Sequence, residues 1–281
     1  MARTEYIMKP RGAKTPQDNT QVNFAVALDL SNEAKGLNEF DKMIGLPVPG
    51  IKPHGKPVFY KKIGQYTVWL VDDFAIRNTS VKHEEFSNWA IHVDFPDVVP
   101  KGQIWISKSE KETERKFYID NALTRLKALA DGASKGGSYD RSLRAEEKLR
   151  KQDDKITKRP GYLSEHAPKE PEPTKVPKDI YVRKLGVYKG YNVWIVNSEK
   201  VQDTYKTDWV DGGNDSVYHF IPANELWLSD ALDKEELKFV VWHEWVESWL
   251  MRHKGWTYDR AHRRASATEY ELRKDLGYGR A

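Results

Sequence analysis

Short runs of β-branched and aromatic residues occur in two series along the chain, in the same order each time. The first series contains YTVWLVD at 66–72 and QIWIS at 103–107, and the second contains YNVWIVN at 191–197 and ELWLS at 225–229. Runs of this length and composition predict strands. Gly-containing turns such as Lys189-Gly190 favour hairpins. We therefore expect a small antiparallel sheet in each series.

The hydrophobic period changes after the second ELWLS strand. Ser229 is a suitable N-cap for one long helix that continues to His253, with Gly255 as its end. Thr257 is a suitable cap for a second helix. Three apolar residues lie near helical spacing in that helix: Ala261, Ala265 and Leu272. Each series is therefore expected to form a sheet followed by two helices.

The match between the two series extends into the helices. Lys116-Phe117 corresponds to Lys238-Phe239, and Tyr139-Asp140-Arg141 corresponds to Tyr258-Asp259-Arg260. We therefore predict an α+β chain with an internal duplication. Five prolines lie among charged residues between Pro160 and Pro177, a composition typical of a linker. The predicted organisation is an N-terminal arm at 1–55, a first repeat at 56–150, a linker at 151–179 and a second repeat at 180–281.

Composition limits the chemistry that the chain can perform. It contains no cysteine, which excludes thiol nucleophiles and disulfides and leaves His, Asp and Glu as metal ligands. Its 46 Lys and Arg and 42 Asp and Glu residues give a net charge of only +4, which does not predict a nucleic-acid partner. No stretch approaches the roughly 20 apolar residues of a membrane span. We therefore expect a soluble, cytoplasmic protein.

The second repeat contains a candidate zinc site. His243 and Glu247 are four residues apart, and therefore lie on one face of the predicted long helix. The next helix, if antiparallel, brings His262 opposite His243. Three nitrogen or oxygen ligands and an open position are typical of catalytic zinc. Glu244 is then placed as the general base for the metal-bound water. Glu269 either orients His262 through its second imidazole nitrogen or is a fourth ligand; the sequence leaves both open.

The first repeat serves as an internal control for this hypothesis. The simpler alternative is that His243 and His262 are partly buried helix residues bonded to carbonyls or carboxylates. In the first repeat the four positions hold other residues: Asn121, Ala122 and Arg125 on one helix, and Leu143 on the next. Since the strand residues persist while these four change, the fold itself does not require them. This favours a metal site in the second repeat, with the first as a metal-free counterpart.

The motif His243-Glu244-Trp245-Val246-Glu247 resembles the active helix of the zincin metallopeptidases, in which HExxH supplies two His ligands and a Glu base. Because Glu247 replaces the second His, the chain is similar to the HExxE version with a downstream His ligand. A wider string, which includes Gly-Gly-Asn, IPANELWLS and HEWVES, is also similar to small proteins of unknown function encoded by bacterial viruses. The first resemblance implies a zinc peptidase, and the second implies a phage origin.

Two functions therefore remain open. The first is a zinc-dependent, peptidase-like hydrolase that acts on a peptide or protein, with the ELWLS strand pairing to an extended substrate. The second is a non-catalytic phage structural or interaction protein, in which the duplicated module binds a protein partner within a larger viral assembly. Host cytoplasm or virion is the expected location, and neither function calls for a membrane or a nucleic acid.

Overall fold

The computed structural model describes residues 56–80, 82–153 and 176–278. The predicted N-terminal arm and most of the predicted linker lie outside the described residues. The described chain forms two α+β units with the same order of elements, each a four-stranded sheet followed by a helix pair. This confirms the predicted fold class and the repeated arrangement.

The first repeat contains four strands, one short helix between strands and two long helices. Its elements are β1 (Val58–Ile63), β2 (Tyr66–Val71), α1 (Asp73–Arg77), β3 (Trp89–Ile91), β4 (Gln103–Ser107), α2 (Glu112–Ala130) and α3 (Lys135–Gln152). The second repeat follows the same plan. Its elements are β5 (Tyr181–Tyr188), β6 (Tyr191–Val196), α4 (Ser198–Thr204), β7 (Gly212–Asn214), β8 (Glu225–Ser229), α5 (Leu237–Lys254) and α6 (Tyr258–Asp275).

Each sheet is mixed. The strand orders are β1-β2-β4-β3 and β5-β6-β8-β7, with antiparallel outer pairs and a parallel central pair. The expectation of an antiparallel sheet therefore holds for the outer pairs and is wrong for the centre. A parallel pair needs a long crossover connection, and the segment that contains α1 or α4 and the following edge strand supplies it. The turn Lys189-Gly190 has positive φ at both residues, as its hairpin requires.

The helix pair of the second repeat forms largely as expected. Helix α5 begins at Leu237 rather than after Ser229, because Ser229 ends β8 and its hydroxyl accepts a hydrogen bond from the backbone N–H of Ala231. Gly255 ends α5 in the left-handed conformation, with φ of 62°. Thr257 precedes α6 at the N-cap position. This turn returns α6 along α5.

The two repeats exchange contacts through their short helices. Phe74 of α1 packs against the hydrophobic core of the second repeat, with its ring 5.3 Å from that of Tyr278. Asn78 accepts a hydrogen bond from Arg273 of α6, and Asp203 of α4 accepts one from Arg150 of α3. Because each repeat contacts the helix pair of the other in the same manner, the repeats are related by an approximate twofold arrangement.

The buried arginines also fix which residues correspond in α3 and α6. Both helices contain 18 residues, and each buries an Arg that pairs with the Glu one turn before it. The pairs are Glu146 with Arg150, and Glu269 with Arg273. This register aligns Tyr139 with His262, so the match made through Tyr139-Asp140-Arg141 is displaced by about one turn, and the assignment of Leu143 to the position of His262 is wrong.

Candidate metal centre

The three predicted ligands lie together between α5 and α6. His262 Nδ1 is 2.9 Å from Glu247 Oε2 and 3.1 Å from His243 Nε2, and His243 Nε2 is 3.8 Å from Glu247 Oε2. These three atoms form a group that could hold a metal ion. A tetrahedral zinc with bonds of about 2.0–2.1 Å separates its ligand atoms by about 3.3–3.4 Å. The observed separations lie on both sides of that value.

The second ring nitrogen of each histidine faces a carboxylate. Nδ1 of His243 is 2.9 Å from Glu269 Oε2, and Nε2 of His262 is 3.6 Å from Glu85 Oε1. Glu269 therefore contacts His243. The alternative in which Glu269 orients His262 is wrong. A carboxylate in this position fixes the orientation and tautomer of a metal-binding imidazole. Arg273 holds Glu269 in turn, at 2.5 Å.

The charged groups of the cluster shift one another's pKa values. Burial alone would raise the pKa of the Glu247 carboxyl, but its hydrogen bonds with His243 and His262 lower it to about 2. Burial would likewise lower the pKa of His262, but the carboxylates of Glu247 and Glu85 raise it to about 9. The pKa of His243 is also raised, against the effect of burial, by the surrounding carboxylates. The carboxylates of the cluster therefore stabilise positive charge on the two imidazoles.

Glu244, the predicted general base, lies beside this group. Asn214 of β7 donates from its Nδ2 to Glu244 Oε2 at 2.8 Å and to Glu247 Oε1 at 2.9 Å. Burial, and then the charge of Glu247, raises the pKa of Glu244 to about 8. Gly212 makes room for this carboxylate, since a Cβ there would lie 3.0 Å from Glu244 Oε1 and 2.6 Å from Val240 Cγ1.

A cavity of about 90 Å³ opens at the cluster. It is lined by the three candidate ligands and Glu244, and by residues of both repeats, including Glu84, Arg77 and Asp211. This volume accommodates an ion with a few water-sized groups. The expectation that the ELWLS strand pairs with a substrate is wrong, because both edges of β8 are already hydrogen-bonded, to β6 and to β7.

Several residues of the cluster were not found from the sequence. Glu84 and Glu85 belong to the first repeat and are distant along the chain from the histidines. Asn214 belongs to the Gly-Gly-Asn string, whose sequence alone indicates no chemical role. Arg273 could have been found through the Glu-x-x-x-Arg spacing that α3 and α6 share. Contacts between Glu84 and α5 had no sequence signal, because they depend on how the repeats pack.

Comparison with protein-family models, curated proteins and solved structures finds no match to this chain. Among the helices of the described residues, none has the length and apolar character needed to cross a bilayer. The geometry of the cluster is therefore the basis for the functional argument.

Proposed function

We propose that this protein is a zinc-dependent hydrolase whose metal is held by His243, Glu247 and His262. The observation that carries the proposal is the spacing of Nε2 of His243, Nδ1 of His262 and Oε2 of Glu247, which are 2.9–3.8 Å apart. Two imidazoles and one carboxylate are a donor set that suits zinc. Three protein ligands leave a fourth position for water, and the adjoining cavity gives that water space.

The catalytic role falls to Glu244. If zinc were held by these residues, it would supply a water whose pKa is lowered to about 7, and Glu244 would be placed to accept the proton of that water during attack on a carbonyl. Glu244 lines the same cavity as the three ligands and follows His243 directly in the chain. A divalent cation next to Glu244 favours its ionised form, which is the form that a general base needs. Asn214 holds the carboxylate in place.

The proposed substrate is a peptide or protein. The HExxE motif supports this class through its resemblance to zincins, and the cavity is large enough for the carbonyl group at the reacting end of such a substrate. An extended substrate cannot form strand pairs with β8, because both of its edges are occupied. It would instead approach along β7, an outer strand that contacts α5. The proposal includes no membrane and no nucleic acid as a partner.

Metal content tests the first part of the proposal. The purified full-length chain is expected to contain about one zinc per molecule by mass spectrometry after reconstitution, and His243→Ala is expected to lose it. His253→Ala is the matched control, because His253 lies on the same helix but contacts the carbonyl of Trp249. Absence of zinc from the unaltered protein, or its retention in His243→Ala, would contradict the proposal.

Catalysis is tested by Glu244→Gln, which removes the base and leaves the ligands. A mixed library of quenched fluorescent peptides is expected to be cleaved by the zinc-loaded protein and not by this variant, while both hold the same amount of zinc. Equal cleavage by both proteins would exclude Glu244 as the base.

A second candidate is a non-catalytic role in a phage structural or interaction protein, with zinc as a structural ion. The burial of the cluster favours it, since His243 is 7% exposed and Glu247 is 3% exposed. This candidate predicts that zinc removal lowers the melting temperature, while neither the unaltered protein nor Glu244→Gln cleaves any library member. Partner capture within a viral assembly then replaces catalysis as the function.

A further inference from the structure

The first repeat enters the candidate metal centre through the loop after α1. Two consecutive residues of this loop face the two histidines: Glu84 Oε1 is 3.5 Å from His243 Nδ1, and Glu85 Oε1 is 3.6 Å from His262 Nε2. We propose that Glu84 and Glu85 position the metal-binding histidines of the second repeat, so that the first repeat is a required part of the metal centre. This inference rests on the proposed zinc site.

The choice of ring nitrogens supports this role. The metal group uses Nε2 of His243 and Nδ1 of His262, which leaves Nδ1 of His243 and Nε2 of His262 on the opposite sides of the rings. Nε2 of His262 faces Glu85, and Nδ1 of His243 faces Glu269 at 2.9 Å and, as a second carboxylate, Glu84 at 3.5 Å. A metal-bound imidazole donates its other N–H to a carboxylate or carbonyl, and this bond sets ring angle and ligand basicity.

Each of the two residue pairs includes one buried polar atom without a hydrogen-bond partner within the described residues. Glu84 is 6% exposed, and its Oε2 has no hydrogen-bond partner within the described residues. Nε2 of His262 is also buried and makes no hydrogen bond within those residues. A buried polar atom without a partner is costly.

The loop is held in place by buried bonds across the interface. Arg77 donates from Nε to the carbonyl of Phe86 at 2.5 Å and from Nη2 to Asp211 Oδ2 at 2.7 Å. Asn78 accepts a hydrogen bond from Arg273, the residue that also holds Glu269. These bonds fix both ends of the segment that presents Glu84. A rigid support of this kind is what an accurately placed metal centre requires.

The loop after α4, which corresponds to this loop in the second repeat, has no carboxylate at the position of Glu84. By the approximate twofold arrangement, Asp208 stands at the position of Glu85, and it accepts a hydrogen bond from Tyr139, which corresponds to His262. Thr207 then stands at the position of Glu84. A buried carboxylate at the position of Glu84 therefore occurs in the loop of the first repeat and not in that of the second, although Asp208 of the second lines the same cavity.

Glu84, His243 and Glu269 also form a second group that could hold an ion. The Arg273 guanidinium, however, lies 2.5 Å from Glu269 Oε1 and already supplies a cation there. Two cations this close in a buried environment repel strongly. We therefore assign Glu84 to positioning His243 rather than to a second metal.

Zinc affinity of the full-length chain tests this inference, measured by competition with a chelating dye. Glu84→Gln is expected to weaken zinc binding by about 10–100-fold, and Glu85→Gln by less, because the Glu85 side chain is half exposed. Glu84→Asp is expected to recover part of the loss. Glu271→Gln is the control, since it removes an exposed carboxylate of α6 that pairs with Lys274.

The cobalt absorption spectrum and the melting temperature of the zinc-free protein distinguish a positioning role of Glu84 from a purely structural one. The expected pattern is a changed cobalt absorption spectrum in Glu84→Gln, with the melting temperature of the zinc-free protein close to that of the control. Unchanged affinity and spectrum in a chain that does bind zinc would overturn the inference and leave the proposed function intact. Two zinc ions per chain, with one lost in Glu84→Gln, would instead make Glu84 a ligand. A chain that binds no zinc would overturn both proposals.

Discussion

The two repeats keep the same buried framework around different centres. In each, an Arg of the last helix pairs with a Glu one turn earlier and with a Glu near the start of the preceding helix. The residues are Arg273, Glu269 and Glu236 in the second repeat, and Arg150, Glu146 and Glu114 in the first. The Glu one turn before the Arg also has an equivalent second partner in each repeat. Asn121 donates a hydrogen bond to Glu146 in the first repeat, and His243 contacts Glu269 in the second. The framework therefore does not depend on a metal.

The repeats differ at the point where the metal would lie. Arg125 stands at the position of Glu247; its guanidinium pairs with Asp94 at 2.8 Å and lies over the ring of Tyr139. The first repeat thus places a covalently attached cation where the second presents a carboxylate. A buried site that contains its own positive charge repels a divalent ion. The reversed charge at this position, together with Asn121 and Tyr139 in place of the two histidines, separates the first repeat from the candidate metal centre of the second.

The edge strands explain why a cavity accompanies the second centre. β7 is Gly212-Gly213-Asn214, whereas β3 has Trp89-Ala90-Ile91 at the paired positions. Trp89 packs with the core cluster that contains Ala122, the counterpart of Glu244. Glycine in place of tryptophan leaves space for the Glu244 carboxylate, and Asn214 supplies its hydrogen bond.

Removal of the shared arginine is expected to have the largest effect on stability. Arg273→Met and Arg150→Met should each lower the free energy of unfolding by about 3–5 kcal/mol, because two buried carboxylates lose their cation. Urea unfolding monitored by tryptophan fluorescence measures this. Similar losses in both variants would support a common framework; a large loss in only one would break the comparison.

Transfer of the ligands to the first repeat tests the register of the repeats directly. The triple variant Asn121→His, Arg125→Glu and Tyr139→His is expected to bind a second zinc per chain. Its affinity should be about 10–100-fold weaker than that of the first site, because Thr207 replaces Glu84. Mass spectrometry at rising zinc concentration gives the stoichiometry. The same change made at Leu143 instead of Tyr139 is the control and should add no zinc.

Filling the space beside β7 should reduce stability by a smaller amount. Gly212→Ala places a methyl group 2.6 Å from Val240 Cγ1 and 3.0 Å from Glu244 Oε1. Overpacking of this kind costs about 1–3 kcal/mol. Chemical unfolding measures the loss. Ala90→Gly in the other edge strand is the comparison variant, and should not disturb zinc binding.

The pH dependence of zinc binding should show the smallest change. The pKa of His262 is raised from 6.5 to about 9, and zinc binds the neutral ring. Zinc affinity should therefore rise by up to about tenfold per pH unit between pH 7 and 9. The zinc-free protein should instead lose stability over about pH 6.5–9, because the charged His262 that favours folding is deprotonated. Flat affinity over this range would show that His262 is not a ligand.

The sequence predicted what depends on short spacings. The duplication follows from repeated strand motifs, and His243, Glu247 and His262 follow from one helical turn and an antiparallel return. The parallel central pair was missed because strand motifs do not reveal which strands become neighbours. The counterpart of His262 was misplaced because the Tyr-Asp-Arg match was local, while the buried Arg pairs that fix the register join separate helices.

The contribution of Glu84 could not have been predicted in the same way. Its distance from His243 along the chain is large, and its role depends on α1 of one repeat packing on α5 and α6 of the other. No spacing rule applies to such a contact. The cavity was equally hidden, because a glycine in an edge strand has meaning only when the residue packed against it is known.

The exchanged contacts of α1 and α4 have a consequence for how the repeats can diverge. A twofold homodimer must carry the same residue on both sides of its interface. With both halves on one chain, Glu84 can serve one side while Thr207 stands on the other, so each half can specialise without harming its neighbour. The covalent connection also sets a local concentration for their encounter. Assembly of this interface should accordingly be insensitive to dilution, unlike that of a homodimer built from two separate chains.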